Sequence, residues 1–299
     1  MRKSIPPVPA PGHSFRRREP GRAVRRVLLS GGTTLVLGMQ VGGTPSAAEF
    51  PAVLRLSSLD GANGFVINGI NGFAGGSGFS VSDAGDVNGD GVADLLISTP
   101  YAFGDGERFS GESYVVFGGA GVGSTGVLEL SDRDGANGFV IDGIDRDDLS
   151  GWPVSGAGDV NGDGVDDLLI GAPVRFSNGN EDAGASYVVF GGGDVGGAGV
   201  LNLSALGEAD GFVIDGADRD DLSGRSVSDA GDVNGDGVDD LLIGAPGRLS
   251  NGNENAGASY VVFGGSGVGR TGVFELSDLD GADGFVIDGV DGNGQVASR

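Results

Sequence analysis

Asp86-Val87-Asn88-Gly89-Asp90-Gly91-Val92-Ala93-Asp94 is a nine-residue loop that returns at 159–167 and again at 232–240. Each copy carries oxygen side chains at loop positions 1, 3, 5 and 9 and glycine at positions 4 and 6. A hard cation such as Ca²⁺ takes six to eight oxygen ligands, and a tightly turned acidic loop supplies them. The glycines allow the sharp turn that aims those oxygens inward. The candidate ligands are Asp86, Asn88, Asp90 and Asp94, then Asp159, Asn161, Asp163 and Asp167, then Asp232, Asn234, Asp236 and Asp240. The position-7 carbonyls of Val92, Val165 and Val238 are natural additions. Asp-Asn-Gly strings also build ordinary turns, but three in one frame at one spacing point to metal.

The opening of the loop is shared with the EF-hand, which also requires a bidentate Glu at position 12. Here position 12 is Ile97, Ile170 and Ile243. The last carboxylate comes at position 9, and Leu-Leu-Ile follows it, stopped by Gly-Ala-Pro at 171–173 and 244–246. A short apolar run closed by chain breakers reads as a strand, not an exit helix.

The loops recur every 73 residues. Fixed-period self-similarity signals a repeat architecture. One unit shows four strand-like segments: 152–160 (WPVSGAGDV), 167–170, 185–190 (ASYVVF) and 211–215 (GFVID). All are short, β-branched or aromatic, and bounded by Gly, Pro, Asn or Asp. No helical periodicity is present. The expected fold is therefore all-β, with tandem four-stranded units stacked as the blades of a β-propeller. Phe117, Phe190 and Phe263 are expected in the contacts between blades.

Phe-Gly at 117–118, 190–191 and 263–264, together with the Gly-Ala-Pro tripeptides, resembles FG-GAP repeats, the repeats of integrin α-subunit propellers and of many secreted bacterial proteins. The resemblance covers about residues 50–290, and the acidic loops match the family's Ca²⁺ sites position by position. The first unit departs from it, with Ser98-Thr99-Pro100 in place of Gly-Ala-Pro. The resemblance implies a propeller with Ca²⁺ on its hairpin loops and a role in adhesion or recognition.

On this reading 1–48 is a signal peptide, 49–72 holds an extra outer strand, and 73–145, 146–218 and 219–299 are FG-GAP repeats 1 to 3, the last with a C-terminal tail. GFVI occurs four times, at 64–67, 138–141, 211–214 and 284–287, while the other strands occur three times. The result is a partial propeller of three full repeats plus a strand. Three explanations stand open: a truncated product, an open arc, or a ring completed by self-association. An open arc exposes apolar faces and strand edges.

Composition narrows the function. Of 299 residues 63 are glycine, none is cysteine, and the only histidine is His13. Beyond residue 48 there is no imidazole or thiol for general base, nucleophile or zinc chemistry. The net charge is −24, and without the first 48 residues it is −31. Such a surface repels nucleic acid and favours cations. The leader has a basic n-region, an apolar stretch from Val27 to Gly43, and Pro45-Ser46-Ala47-Ala48 before the expected cleavage point. Arg25-Arg26-Val27-Leu28-Leu29 leaves twin-arginine and general export both open. No stretch reaches the length of a membrane span. The expected protein is secreted, periplasmic or on the cell surface, non-catalytic, with an extracellular protein or glycan as ligand. The rivals are an accessory part of an extracellular hydrolase and a structural surface protein. The polar loops at 177–182 and 250–255 and the clusters at 145–148 and 218–221 are expected as solvated turns. Trp152, the only tryptophan, is expected in local packing.

Overall fold

The computed structural model describes residues 33–36, 55–70, 76–250, 252–253 and 255–290. The export motif, the expected cleavage point and the last nine residues lie outside them. Among the described residues the chain is all-β, with no α-helix.

The strands, in chain order, are β1 (Thr33–Val36), β2 (Phe65–Asn68), β3 (Val81–Gly85), β4 (Asp94–Thr99), β5 (Glu112–Val116), β6 (Val127–Glu129), β7 (Gly138–Asp142), β8 (Val154–Gly158) and β9 (Asp167–Ala172). They continue with β10 (Ala185–Val189), β11 (Val200–Asn202), β12 (Gly211–Asp215), β13 (Ser226–Gly231), β14 (Asp240–Ala245), β15 (Ala258–Val262), β16 (Val273–Glu275) and β17 (Gly284–Asp288). The hairpins β3–β4, β8–β9 and β13–β14 carry the acidic loops at their tips.

These strands form four sheets, ordered β1-β2-β6, β11-β7-β5-β4-β3, β16-β12-β10-β9-β8 and β13-β14-β15-β17. The four antiparallel strands of each repeat are those read from the sequence. The fifth is not. β6, β11 and β16 each leave their own repeat and add in parallel to the outer strand of the preceding sheet. Two of the four-stranded units thus gain a fifth strand from the repeat that follows. A three-residue strand is too short to show a period of two, which is why the pattern concealed it. Each is followed by a single 3₁₀ turn, at Leu130–Asp132, Leu203–Ala205 and Leu276–Asp278. The same turn, Leu56–Ser58, precedes β2.

The Phe65 strand does not join the last sheet. It pairs with β1 on one side and β6 on the other. β1 lies within the segment read as a leader, and it stands beside β2 as β5, β10 and β15 stand beside β7, β12 and β17.

The core sits between the sheets. One apolar cluster joins Phe65 and Ile67 of the first sheet to Ile97, Tyr114 and Leu130. A second joins Ala84, Val87, Leu96, Phe139 and Ile141 to Val154, Leu168, Ile170 and Tyr187. A third repeats that contact one blade later, from Ala157, Val160, Phe212 and Ile214 to Leu241, Ile243 and Tyr260. The innermost strands β3, β8 and β13 lie side by side. Each sheet buries one face against its neighbour, as stacked repeats must. Among the described residues the sheets do not close into a ring, and the architecture is a partial β-propeller.

Phe117 and Phe190 pack where expected, on the edges of these clusters and beside Phe139 and Phe212, at ring-centroid distances of 5.9 and 5.8 Å. The first repeat's departure from Gly-Ala-Pro is absorbed by hydrogen bonds. Ser80 N–H donates to Ser98 Oγ at 3.0 Å, and Thr99 Oγ1 donates to Ser77 Oγ at 3.2 Å.

Candidate metal loops

Each loop closes on itself in the same way. In the first, Asp86 Oδ1 accepts from Asp90 N–H (2.9 Å) and Oδ2 from Gly91 N–H (2.8 Å). Asn88 Oδ1 accepts from Asp90 N–H (2.9 Å), and Asp90 Oδ1 from Val92 N–H (2.8 Å). The second loop repeats these bonds on Asp159, Asn161 and Asp163, and the third on Asp232, Asn234 and Asp236. Glycine at positions 4 and 6 has φ between +72° and +96° in all three, a conformation that other residues adopt only with strain. The side-chain oxygens of positions 1, 3 and 5 are thereby gathered over a single turn.

Position 9 has a different setting. Asp94, Asp167 and Asp240 are buried, and both oxygens of each accept backbone hydrogen bonds. Val87 N–H donates to Asp94 Oδ2 at 3.1 Å and Gly118 N–H to Oδ1 at 2.7 Å. The same pair of donors is Val160 and Gly191 for Asp167, and Val233 and Gly264 for Asp240. The glycine of Phe-Gly therefore binds the loop's last carboxylate. A Cβ there would lie 2.3 Å from the Ala93 carbonyl at Gly118, and at similar distance from loop carbonyls at Gly191 and Gly264. The Phe-Gly dipeptide is the clamp that holds the acidic loop against the third strand.

Burial pushes the Asp94 carboxyl up to about 6 and that of Asp167 up to about 7. The loop carboxylates Asp90 and Asp86 add to the first shift, and Asp163 to the second. Among the described residues no basic side chain forms an ion pair with any loop carboxylate. No group of three or more acidic, imidazole or thiol side chains converges among them either. The loops instead combine aspartates with an asparagine oxygen. Their donors are all oxygen, which suits a hard cation and not zinc or copper.

Two residues of these loops escaped the sequence reading. Asp166 and Asp239, at position 8, turn away from their own loops. Asp166 Oδ2 accepts from Asp86 N–H, and Asp239 Oδ2 from Asp159 N–H. Gly192 and Gly265 N–H groups donate to the Val87 and Val160 carbonyls, both at 2.8 Å. The first two loops are thus pinned by the blade that follows each. The third loop lacks these contacts among the described residues, and Val233 is 49% exposed where Val87 and Val160 are fully buried. The only hint in the sequence was acidic residues at position 8 of the second and third loops, with Ala93 in the first.

At the opposite end of the strands, the clusters read as solvated charge are partly buried. Asp148 and Asp221 are almost inaccessible, and burial pushes their carboxyls up to about 7 and about 6. The positive φ of Asp147 and Leu149, and of Asp220 and Leu222, folds each cluster back on its blade. Trp152 lies between its two repeat equivalents, with the Phe79 ring at 4.6 Å and the Arg225 guanidinium 4.3 Å above it. The stack runs across three blades, which supports a packing role.

Residues 79–116, 151–189 and 224–262 match the FG-GAP repeat. Each match begins beside the Phe79, Trp152 and Arg225 position and ends with the third strand of its sheet. The chain is 30% identical to integrin alpha-PS2 of Drosophila melanogaster over 190 residues, 62% of this chain and 12% of that protein. It is 29% identical to integrin alpha ina-1 of Caenorhabditis elegans over 229 residues, 70% of this chain and 18% of that one. It is also 37% identical over 114 residues to phosphatidylinositol-glycan-specific phospholipase D of Bos taurus, 38% of this chain and 13% of that enzyme. The chain thus spans less than a fifth of each relative's length. The chain carries three FG-GAP repeats and is similar to integrin alpha subunits along the stretch that holds them.

Proposed function

We propose that this chain is a secreted, Ca²⁺-binding, non-catalytic recognition module that engages an extracellular protein or glycan. The observation that carries the metal reading is the repetition of one loop geometry three times, with carboxylates that no basic side chain among the described residues neutralises. Asp86, Asn88, Asp90 and Asp94 would hold the first ion, with the Val92 carbonyl. Asp159, Asn161, Asp163, Asp167 and Val165 would hold the second, and Asp232, Asn234, Asp236, Asp240 and Val238 the third. Ca²⁺ supplies positive charge to each loop and no reaction. The chain's own residues do the rest: Phe-Gly anchors the last carboxylate, and Asp166 and Asp239 fix the loops to the next blade.

The similarity to integrin alpha subunits supports recognition outside the cell. An excess of carboxylates suits an environment rich in Ca²⁺, where such modules bind with Kd of about 10⁻⁴–10⁻³ M. No helix among the described residues is long and apolar enough to cross a membrane. Ca²⁺ that binds only the folded state raises stability as RT ln(1 + [L]/Kd). The test is a thermal melt in millimolar Ca²⁺ and in excess chelator, with the bound metal counted by equilibrium dialysis. A higher Tm with three ions per chain is expected, and identical melts would sink the reading. Screens against matrix proteins and glycans, with and without Ca²⁺, test recognition.

A second reading is favoured by the similarity to a phospholipase D, in which this chain is an accessory part of a hydrolase. Phosphodiesterase and glycosidase assays of the chain alone separate the two. Turnover that survives metal removal would favour the second.

A further inference from the structure

The carboxylates that close the three acidic loops are joined to one another by a run of hydrogen bonds through the backbone. Asp94, the last residue of the first loop, accepts from Val87 N–H at 3.1 Å. The carbonyl of the same Val87 accepts from Gly192 N–H at 2.8 Å, across the blade boundary. Gly191, the residue before it, donates its N–H to Asp167 at 2.9 Å, and Asp167 closes the second loop. The run then repeats. Asp167 accepts from Val160 N–H at 2.9 Å, the Val160 carbonyl accepts from Gly265 N–H at 2.8 Å, and Gly264 N–H donates to Asp240 at 2.9 Å. A second connection lies beside the first, from Asp166 to the Asp86 N–H and from Asp239 to the Asp159 N–H. Asp166 and Asp239 are the chain neighbours of Asp167 and Asp240.

The middle of this path has little freedom. Val87 and Val160 are fully buried, so their backbone groups have no water to turn to. A Cβ on Gly191 would lie 2.8 Å from the Val87 carbonyl, and one on Gly264 would lie 2.7 Å from that of Val160, so each pair is pressed together. The loop tips are the opposite. Asp90, Asp163 and Asp236 are exposed, and like charges at close quarters repel. To share one ion, the oxygens of a loop must be held in a single arrangement. Once Asp167 is fixed, Gly191 and Gly192 are fixed with it, and so is the backbone of Asp86 and Val87 from which the first loop's oxygens hang. Ordering one loop therefore lowers the ordering cost left for its neighbour, which is a source of positive cooperativity.

We propose that the three loops bind Ca²⁺ cooperatively, each occupied loop raising the affinity of the loop in the adjoining blade through Val87, Gly191 and Gly192, or Val160, Gly264 and Gly265, and through Asp166 or Asp239. The inference rests on the Ca²⁺ reading of the loops and adds a coupling between them. The coupling is reciprocal, as any linkage of binding free energies must be. It joins the first loop to the second and the second to the third, and the first and third communicate only through the second. Repulsion between the bound ions opposes it, and salt screens that repulsion. Asp166 and Asp239 are positioning residues: each holds the backbone of a neighbouring loop and is not itself a proposed ligand.

The experiment is Ca²⁺ titration of the full chain by calorimetry and equilibrium dialysis, after metal removal with chelator. Asp90→Ala, Asp163→Ala and Asp236→Ala each silence one loop at an exposed tip, and their pairwise combinations leave one loop at a time. The three single-loop affinities give the isotherms that the two-loop chains would show if the loops were independent. Chains that keep adjoining loops are expected to bind at least about fivefold more tightly than those isotherms, within the range usual for coupled sites. The chain that keeps the first and third loops is expected to match them. Asp166→Ala lowers the coupling of the first pair and leaves the second pair coupled, and Asp239→Ala does the reverse. A merely structural loss would weaken both pairs alike. Adjoining loops that bind independently or antagonistically, or a coupling that neither substitution changes, would overturn the proposal and leave the Ca²⁺ reading intact. Failure of every chain to take up Ca²⁺ would overturn both.

Discussion

The carboxylate of Asp166 accepts a hydrogen bond of 2.7 Å from the backbone N–H of Asp86, eighty residues earlier and one blade away. Asp239 holds Asp159 in the same way at 3.0 Å. The backbone of the first residue in the first two candidate metal loops is thus held by the blade that follows. Asp166→Ala leaves a half-buried N–H without its charged acceptor. A loss of roughly 1–3 kcal/mol is expected, read as a lower midpoint in urea unfolding. Ala93→Asp, at the position without a receiving loop among the described residues, is expected to change little.

Gly85 and Gly158 lie directly under these carboxylates. A Cβ on Gly85 would lie 2.3 Å from Asp166 Oδ2, and one on Gly158 would lie 2.2 Å from Asp239 Oδ2. Both glycines also have positive φ, at +74° and +69°. Gly85→Ala is expected to cost more than the ~1 kcal/mol of left-handed strain alone. Combining it with Asp166→Ala should cost less than the sum of the two. A double-mutant cycle in urea measures that coupling.

The three loops should differ in affinity. Those at 86–94 and 159–167 are clamped by the following blade, and Val87 and Val160 are fully buried. The loop at 232–240 has Asp232, Asn234 and Asp236 all exposed. Asp236→Ala is expected to remove the weakest of three Ca²⁺ transitions in calorimetry and to lower the Tm gained in Ca²⁺ less than Asp90→Ala or Asp163→Ala does. Ordering a loose loop on binding costs entropy that a clamped loop has already lost.

Asp148 gives the fold a pH dependence apart from the metal loops. Burial, with the Asp145 carboxylate second, pushes its carboxyl up to about 7. A carboxyl raised on folding binds more protons in the folded state. Its stabilising contribution is complete below the unfolded value near 3.8 and is lost as pH rises through about 7. Metal-free protein is therefore expected to be more stable at pH 5 than at pH 8. Asp148→Asn imitates the protonated form, and should flatten that slope and stabilise the chain at pH 8 by on the order of 1–3 kcal/mol. Melts across this range in chelator test both statements.

Trp152 makes the junction between the blades visible. It is the only tryptophan and is stacked between Phe79 and Arg225. Its emission is expected to shift to the red when either neighbour is replaced by alanine. Arg225→Ala should cost about 0.5–2 kcal/mol, the range for a cation over an indole.

Much of this was legible in the residues. Loop spacing, Phe-Gly and Gly-Ala-Pro marked three repeats, and the four antiparallel strands of each were bounded by their own breakers. These are local signals, because a hairpin and its turn are encoded in adjacent residues. Phe-Gly was visible as a motif, but the reason for its glycine was not. That reason is a hydrogen bond from Gly118 to Asp94, with a loop carbonyl pressed where a Cβ would be. Asp148 looked solvated because a charge cluster carries no mark of the positive-φ turn that buries one member of it.

The sequence by itself determined the period, the acidic loops and the all-β character, since each depends on the order of near neighbours. Only the tertiary structure decided which strand crosses to which sheet and which aspartate holds a neighbouring loop. Those relationships join residues a full repeat or more apart. Their energies depend on which surfaces meet, and no short-range pattern records that.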